Sequence, residues 1–242
     1  MSKYTFVQLF FCTVLLTLIG PKVPATPAAE FLPPICPDDG HLTAPIGTSP
    51  HPGLLAKYKR RPPCQSAGID YRVGYKSALV LKDPAEAVWR YSFSYDSSRH
   101  MLRCNRGSGG IISGYDFSLH GGMGIYDASC VNLTIENSKF VVGPNCLSPI
   151  NQATAASGIN VRNNLIDGGG YIAECAGNPV GEDILLGGNG PKIIEYNWMR
   201  NAAQHFVTLA GTGGSVRVRY NLVERCGFYQ GNHCNGIQFV GG

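Results

Sequence analysis

The sequence predicts an all-β solenoid, a chain wound so that residues some two dozen positions apart lie over one another. Three observations carry this. First, the phrase Ser215-Val216-Arg217-Val218-Arg219-Tyr220-Asn221-Leu222-Val223 returns as Ile193-Ile194-Glu195-Tyr196-Asn197-Trp198-Met199, as Ile159 to Ile166, as Leu133 to Phe140 and, more faintly, as Ile111 to Phe117. Second, the column Tyr115, Ser138, Asn164, Asn197 and Asn221 has spacings of 23, 26, 33 and 24 residues. A period in the twenties with short strands and glycine turns marks a solenoid, because one such unit cannot bury its apolar face without a stacked neighbour. Third, the outward column Glu136, Arg162, Glu195, Arg219 alternates in sign. Parallel strands about 4.8 Å apart then set opposite charges beside each other at every step, which favours this register.

The same alignment sorts the apolar residues. Ile112, Ile135, Val161, Ile194 and Val218 form one inward stack, and Phe117, Phe140, Ile166, Met199 and Val223 another. The asparagine column suits a tight bend, since Asn tolerates the left-handed conformation and its amide can bond to the turns above and below.

The chain in order fits one domain with an appendage. Residues 1–29 read as an export signal, with Lys3, an apolar run from Phe6 to Ile19, and small residues such as Ala25 and Ala28 at cleavage points. The run is shorter than the roughly 20 residues that span a bilayer as a helix, so secretion or a periplasmic location is expected, without membrane insertion once the signal is cleaved. Residues 30–63 are rich in proline and lack apolar periodicity, which predicts a linker. Its basic run Lys57-Tyr58-Lys59-Arg60-Arg61 reads as a solvated tail. Residues 64–110 supply opening strands and a cap, with Leu79 to Pro84 as strand and turn and Ala85 to Tyr95 as a lid over the open end of the solenoid. Residues 111–242 are the coils, about five to six in the whole solenoid. The chain stops at Gly242 where another coil would begin, which leaves open a short solenoid, a cover from another chain, or further coils beyond it.

Composition narrows the function classes. With 31 Gly, 15% charged residues and a formal charge of +4 over 242 residues, nothing resembles a nucleic-acid-binding stripe. Cys12 lies in the signal, and the remaining eight cysteines are even in number, as expected of disulfides in an exported chain. Cys226 with Cys234 and Cys130 with Cys146 each flank one loop, but the connectivity stays open. No Cys-x-x-Cys occurs, which argues against zinc.

Several phrases then resemble a family. Cys64 to Gly74, Leu81-Lys82-Asp83-Pro84, Gly114-Tyr115-Asp116-Phe117-Ser118-Leu119, Asn163 to Gly168 and Tyr220-Asn221-Leu222-Val223 look like the secreted bacterial right-handed parallel β-helix repeat proteins of the pectate-lyase-like superfamily, over roughly residues 64–242. The resemblance implies three strands per coil and makes the strand after the long third loop the first strand of the next coil, which is the usual saccharide-facing surface. Here those strands are Ile125-Tyr126, Ile184-Leu185-Leu186, Val207-Thr208-Leu209 and Ile237-Gln238-Phe239. On them Glu182, His205 and Asn235 stack as one column, Asp183, Phe206 and Gly236 as the next, and Leu185, Thr208 and Gln238 as a further outward one, with His233 just before.

This is where titratable groups from separate coils converge. A uronate lyase or epimerase needs a base for the proton beside the carboxylate and a group that neutralises the carboxylate. His205 or His233, with Glu182, are the catalytic candidates, and Asp183, Asn235, Gln238 and Thr208 the substrate-binding ones. Similar proteins often carry an acid where Asn235 stands, which weakens an acid or base role there. A polar ladder at a strand boundary would bring the same side chains together without chemistry. Whether the protein is an enzyme is left open: it is expected to bind an acidic polysaccharide, and a non-catalytic surface or envelope scaffold is the alternative. No cofactor is called for. Calcium sites want converging carboxylates, and Asp127, Asp167 and Glu174 are scattered. Gly187-Gly188-Asn189-Gly190-Pro191-Lys192 lacks the ending of a phosphate cradle, and Asn132-Leu133-Thr134 reads as a chance glycosylation sequon. Oligomeric state cannot be read from the sequence.

Overall fold

The computed structural model describes residues 65–66, 69–70, 73–76, 78–175, 181–210, 213–228 and 233–240. The expected signal and linker, Cys36 and Cys64 lie outside these residues. A short antiparallel pair, β1 (Gln65–Ser66) and β2 (Ile69–Asp70), comes first. Next, β3 (Phe93–Asp96) runs antiparallel to β4 (Met101–Cys104), followed by β5 (Gly107–Ser108) and β6 (Ile111–Ser113). Three-strand turns follow. The first is β7 (Gly124–Asp127), β8 (Cys130–Glu136) and β9 (Lys139–Val141), and the second β10 (Ile150–Gln152), β11 (Ser157–Arg162) and β12 (Leu165–Asp167). The third is β13 (Glu182–Leu186), β14 (Asn189–Glu195) and β15 (Trp198–Ala202), and the fourth β16 (His205–Leu209), β17 (Val216–Arg219) and β18 (Leu222–Cys226), after which β19 (Asn235–Phe239) adds one strand. No α-helix occurs among the described residues.

The turns stack into three sheets. The first runs β3-β4-β7-β10-β13-β16-β19, the second β5-β8-β11-β14-β17 with β6 also on β8, and the third β9-β12-β15-β18. Apart from β3 on β4, neighbours in these sheets are parallel. The chain is therefore all-β and wound as a parallel solenoid. The inward columns read from the sequence hold: Ile112, Ile135, Val161, Ile194 and Val218 are in register, as are Phe140, Ile166, Met199 and Val223. Phe117 stacks on Phe140 with ring centroids 4.6 Å apart. Members of these columns are buried until the last turn, where Val218 is half-buried and Val223 exposed. The charge column also forms, with Arg162 on Glu136 at 2.7 Å and Arg219 on Glu195 at 2.6 Å.

The asparagine column is a hydrogen-bond ladder. Asn164 Nδ2 donates to Ile135 O and to Asn197 Oδ1, each at 3.0 Å, and Asn197 Nδ2 donates to Val161 O at 2.9 Å and Asn221 Oδ1 at 3.0 Å. Each side-chain oxygen also accepts the backbone N–H one turn earlier: Ser138 on Asn164, Asn164 on Asn197, Asn197 on Asn221. The expected left-handed backbone, however, falls one residue earlier, at Gly114, Asn137, Asn163, Tyr196 and Tyr220, with φ between 50° and 79°. The ladder residue is chosen for its amide, and the residue before it makes the bend.

A second left-handed column was not foreseen. Asn132, Gly158, Gly190 and Gly214 have φ of 59°, 73°, 87° and 84° on successive turns. A Cβ at Gly190 would lie 2.6 Å from Ser157 Oγ and 2.9 Å from the Gly158 nitrogen. The strand β10 also escaped the sequence reading, because three residues between loops carry no measurable alternation.

Disulfides join Cys104 to Cys130, Cys146 to Cys175 and Cys226 to Cys234. The last closes the loop expected of it. Cys130 and Cys146 do not pair with each other: stacking brings together residues 26 and 29 apart, so each bonds to a neighbouring turn. Asp127 lies beside the Cys104–Cys130 bond, whose sulfurs are bonded to each other and so unavailable as metal ligands.

The segment before the coils crosses several turns. The Gly74 N–H donates to Tyr196 O at 2.9 Å, and Val73 and Tyr75 pack on Leu165, Trp198 and Leu222 on the third sheet. Further along, Lys82 bridges Tyr115 at the opposite end of the stack, and Ala85, Trp89, Phe93 and Tyr95 pack on the core.

Asn197→Ala should cost about 3 kcal/mol in urea unfolding, since it strands a buried N–H and a buried carbonyl at roughly 1–3 kcal/mol apiece. Gly190→Ala should cost about 1–3 kcal/mol from left-handed strain with added clash. Wild-type midpoints for either variant would show that the corner columns do not hold the turns.

Candidate functional site

The long connections after the third-sheet strands feed β10, β13 and β19, so sequence-distant polar residues arrive on one sheet. The register places Glu182 beside His205 and His205 beside Asn235, and likewise Leu185, Thr208 and Gln238 in one row. The pairing skips Asp183, Phe206 and Gly236, a local irregularity that turns Asp183 and Phe206 into the interior.

Burial then separates the candidates. Asp183, expected to bind substrate, is 1% exposed. His205 is 3% exposed and its Nδ1 accepts the Asn235 N–H at 3.3 Å, which makes it a tie between strands rather than an open base. Thr208 is equally buried, and its hydroxyl has no partner among the described residues. His233 and Asn235 are exposed, and Glu182 and Gln238 half-buried. The sequence columns are thus present, but only four of the seven candidates face outward with accessible groups.

The interior carboxylates are coupled. Asp167 accepts Arg200 Nε at 2.7 Å, Asn201 Nδ2 at 2.9 Å and the Gly169 N–H at 2.9 Å. Asp183 lies close to this group, with Oδ1 2.6 Å from where a Gly168 Cβ would stand, and its Oδ2 has no partner among the described residues. Burial first, and the negative charge of Asp167 second, push the Asp183 carboxyl well above the ordinary carboxylate range. Asp127 is also raised by burial, opposed by bonds from Gln152 and the Cys130 N–H. Lys192, the end of the glycine-rich loop, is buried and donates to Gly213 O at 3.2 Å, with desolvation lowering its affinity for a proton. That loop joins strand to strand and aims its lysine inward.

Sequence reasoning put Tyr126 on a first-sheet strand without giving it a role, and missed Arg103. Both are half-buried on strands whose alternate residues are buried, so both face outward, and Arg103 lies 4.9 Å from the Tyr126 ring centroid. They share a row with Asn151 and Leu185. Without β10 the row could not be continued backward from Leu185.

Comparison with family models, curated proteins and solved structures returns no match. The fold therefore defines the class: an all-β solenoid with parallel sheets, stapled by three disulfides among the described residues, which point to an oxidising, extracellular or periplasmic environment. No described helix is long and apolar enough to cross a membrane.

Because the folded Asp183 carboxyl titrates above its unfolded value of about 3.9, the folded state binds the extra proton between the two. Its favourable contribution is complete in acid and is lost as pH rises through the folded value. Asp183→Asn should be more stable than wild type at neutral pH and should flatten that part of the stability profile; a denaturation series giving the same slope for both would refute the assignment.

Proposed function

We propose that this is an exported right-handed parallel β-helix protein of the pectate-lyase-like kind that binds an acidic polysaccharide along the outer face of its first sheet. The observation that carries the reading is the group of accessible polar side chains on the first sheet, Glu182 from β13 and His233, Asn235 and Gln238 at or just before β19. Side chains repeating at about 4.8 Å on a rigid surface suit a polymer with its own short repeat.

A lyase or epimerase would further need a base beside the sugar carbon that loses its proton. His233 is the accessible base, Glu182 its carboxylate partner, and Asn235 or Gln238 would neutralise the substrate acid. A second reading, a binding scaffold without chemistry, is favoured by the burial of His205 and Asp183, which leaves few titratable groups in the open.

In affinity electrophoresis the protein should be retarded by acidic glycans and not by neutral ones. If the site is lytic, ultraviolet-absorbing unsaturated products appear and His233→Ala removes them. Free migration through every acidic glycan of a broad panel would sink the proposal.

A further inference from the structure

We infer that the buried carboxyl of Asp183 is a proton-operated switch beneath the first-sheet face: while it carries its proton, β13 holds Glu182 in the polar column, and when it ionises that end of β13 loosens and the face changes. The switch stands on geometry; its effect on a bound acidic glycan rests on the polysaccharide reading above.

Its basis is where Asp183 sits. It directly follows Glu182 in β13, between residues that pair with β16 while it does not: Glu182 is in register with His205, and Ile184 with Val207. Ile184 and Leu186 are buried and Leu185 is half-buried, so strict alternation would put Asp183 on the outer side with Leu185. Instead it is buried at the corner beyond β12 and β15. The point where a Gly168 Cβ would stand lies 2.6 Å from Asp183 Oδ1 and 2.7 Å from both Ala202 Cα and Asn201 O. Any side chain at 168 would take the space this carboxyl uses.

Among the described residues no cation pairs with it. On β15, Arg200 Nε is committed to Asp167 of β12 at 2.7 Å, with its guanidinium over the Trp198 ring, and Asp167 also takes Asn201 Nδ2 and the Gly169 N–H. On β16 the neighbours are buried Phe206 and His205, whose Nδ1 accepts the Asn235 N–H, and on its own strand the next charge is Glu182. Asp183 Oδ2 has no partner. An ionised carboxylate here would face negative Asp167 with nothing to replace its lost hydration, so the group keeps its proton or moves. Burial and the Asp167 charge both favour the neutral form. The folded carboxyl therefore holds its proton to higher pH than the unfolded one, and the buried position is favoured in acid and loses its advantage as pH rises through the folded value. The way out is to the side of β13 that carries Leu185. Because neighbouring side chains alternate, moving Asp183 across the strand re-aims Glu182, and the new negative charge on the face repels an acidic polymer.

The test is amide hydrogen exchange of the full chain across pH, read as protection factors so that the intrinsic pH dependence of exchange is removed, with oligogalacturonate binding measured in parallel. In wild type the amides of Glu182 to Leu186 should lose protection about fivefold or more as pH rises through the Asp183 value, while those of β11 do not, and affinity should fall with the same midpoint. Asp183→Asn, neutral and of the same shape, should show neither step. Asp167→Asn should move the midpoint to lower pH, since it removes the neighbouring negative charge. His233→Gln, which takes the exposed imidazole out of the comparison, should keep the exchange step. A wild-type profile without a step, or the same step in Asp183→Asn, overturns the switch, and an exchange step with no matching change in affinity overturns its link to the ligand face. No glycan binding on either side of an exchange step that Asp183→Asn abolishes counts against the polysaccharide reading and leaves the switch standing.

Discussion

Everything in this protein depends on successive turns keeping one parallel register, and the amide ladder is what enforces it. Each ladder oxygen takes a backbone N–H from the turn before, while each NH2 closes on a carbonyl further back. A slip of one residue would orphan these groups inside the core and send the isoleucine and phenylalanine columns outward. The ladder thus does for the corner what strand pairing does for the faces. The Glu–Arg column reinforces the same register from outside, where solvent makes each pair worth little alone.

Register also explains why the first sheet gathers polar groups. Its strands follow the variable connections, so residues such as Glu182, His205 and Asn235, far apart in sequence, become neighbours. Yet proximity alone is not chemistry. Burial beside Asp167 raises the affinity of the Asp183 carboxyl for a proton, and the Asn235 backbone occupies His205. What remains outside is an arginine seated on a tyrosine ring at one end and amides at the other.

Legibility followed periodicity. The second and third sheets were readable because Ile135, Val161 and Ile194 and the residues around Asn164 and Asn197 recur in a fixed phrase. The first sheet was read in part, as its β10 has only Ile150-Asn151-Gln152 to show, and the row through Arg103 and Tyr126 was lost with it. The glycine column at Gly158, Gly190 and Gly214 was invisible because glycine is abundant here and carries no side-chain signature. Burial at His205, Thr208 and Asp183 depends on local bends and covering segments, which strand periodicity does not encode. The Cys104–Cys130 and Cys146–Cys175 pairs follow from stacking, and were legible only to a reading that joined each cysteine to the turn above rather than to the loop beside it.

The segment that lies across the outside of the third sheet has a consequence for how the molecule comes apart. A bare stack of repeats loses its terminal units one at a time, because each touches only its neighbours. Here residues 73–82 bond near Tyr196 and again at Tyr115, tying distant repeats into one unit. Opening one of these ends requires releasing a belt that the other end still holds, so the intervening turns melt together rather than fraying in sequence.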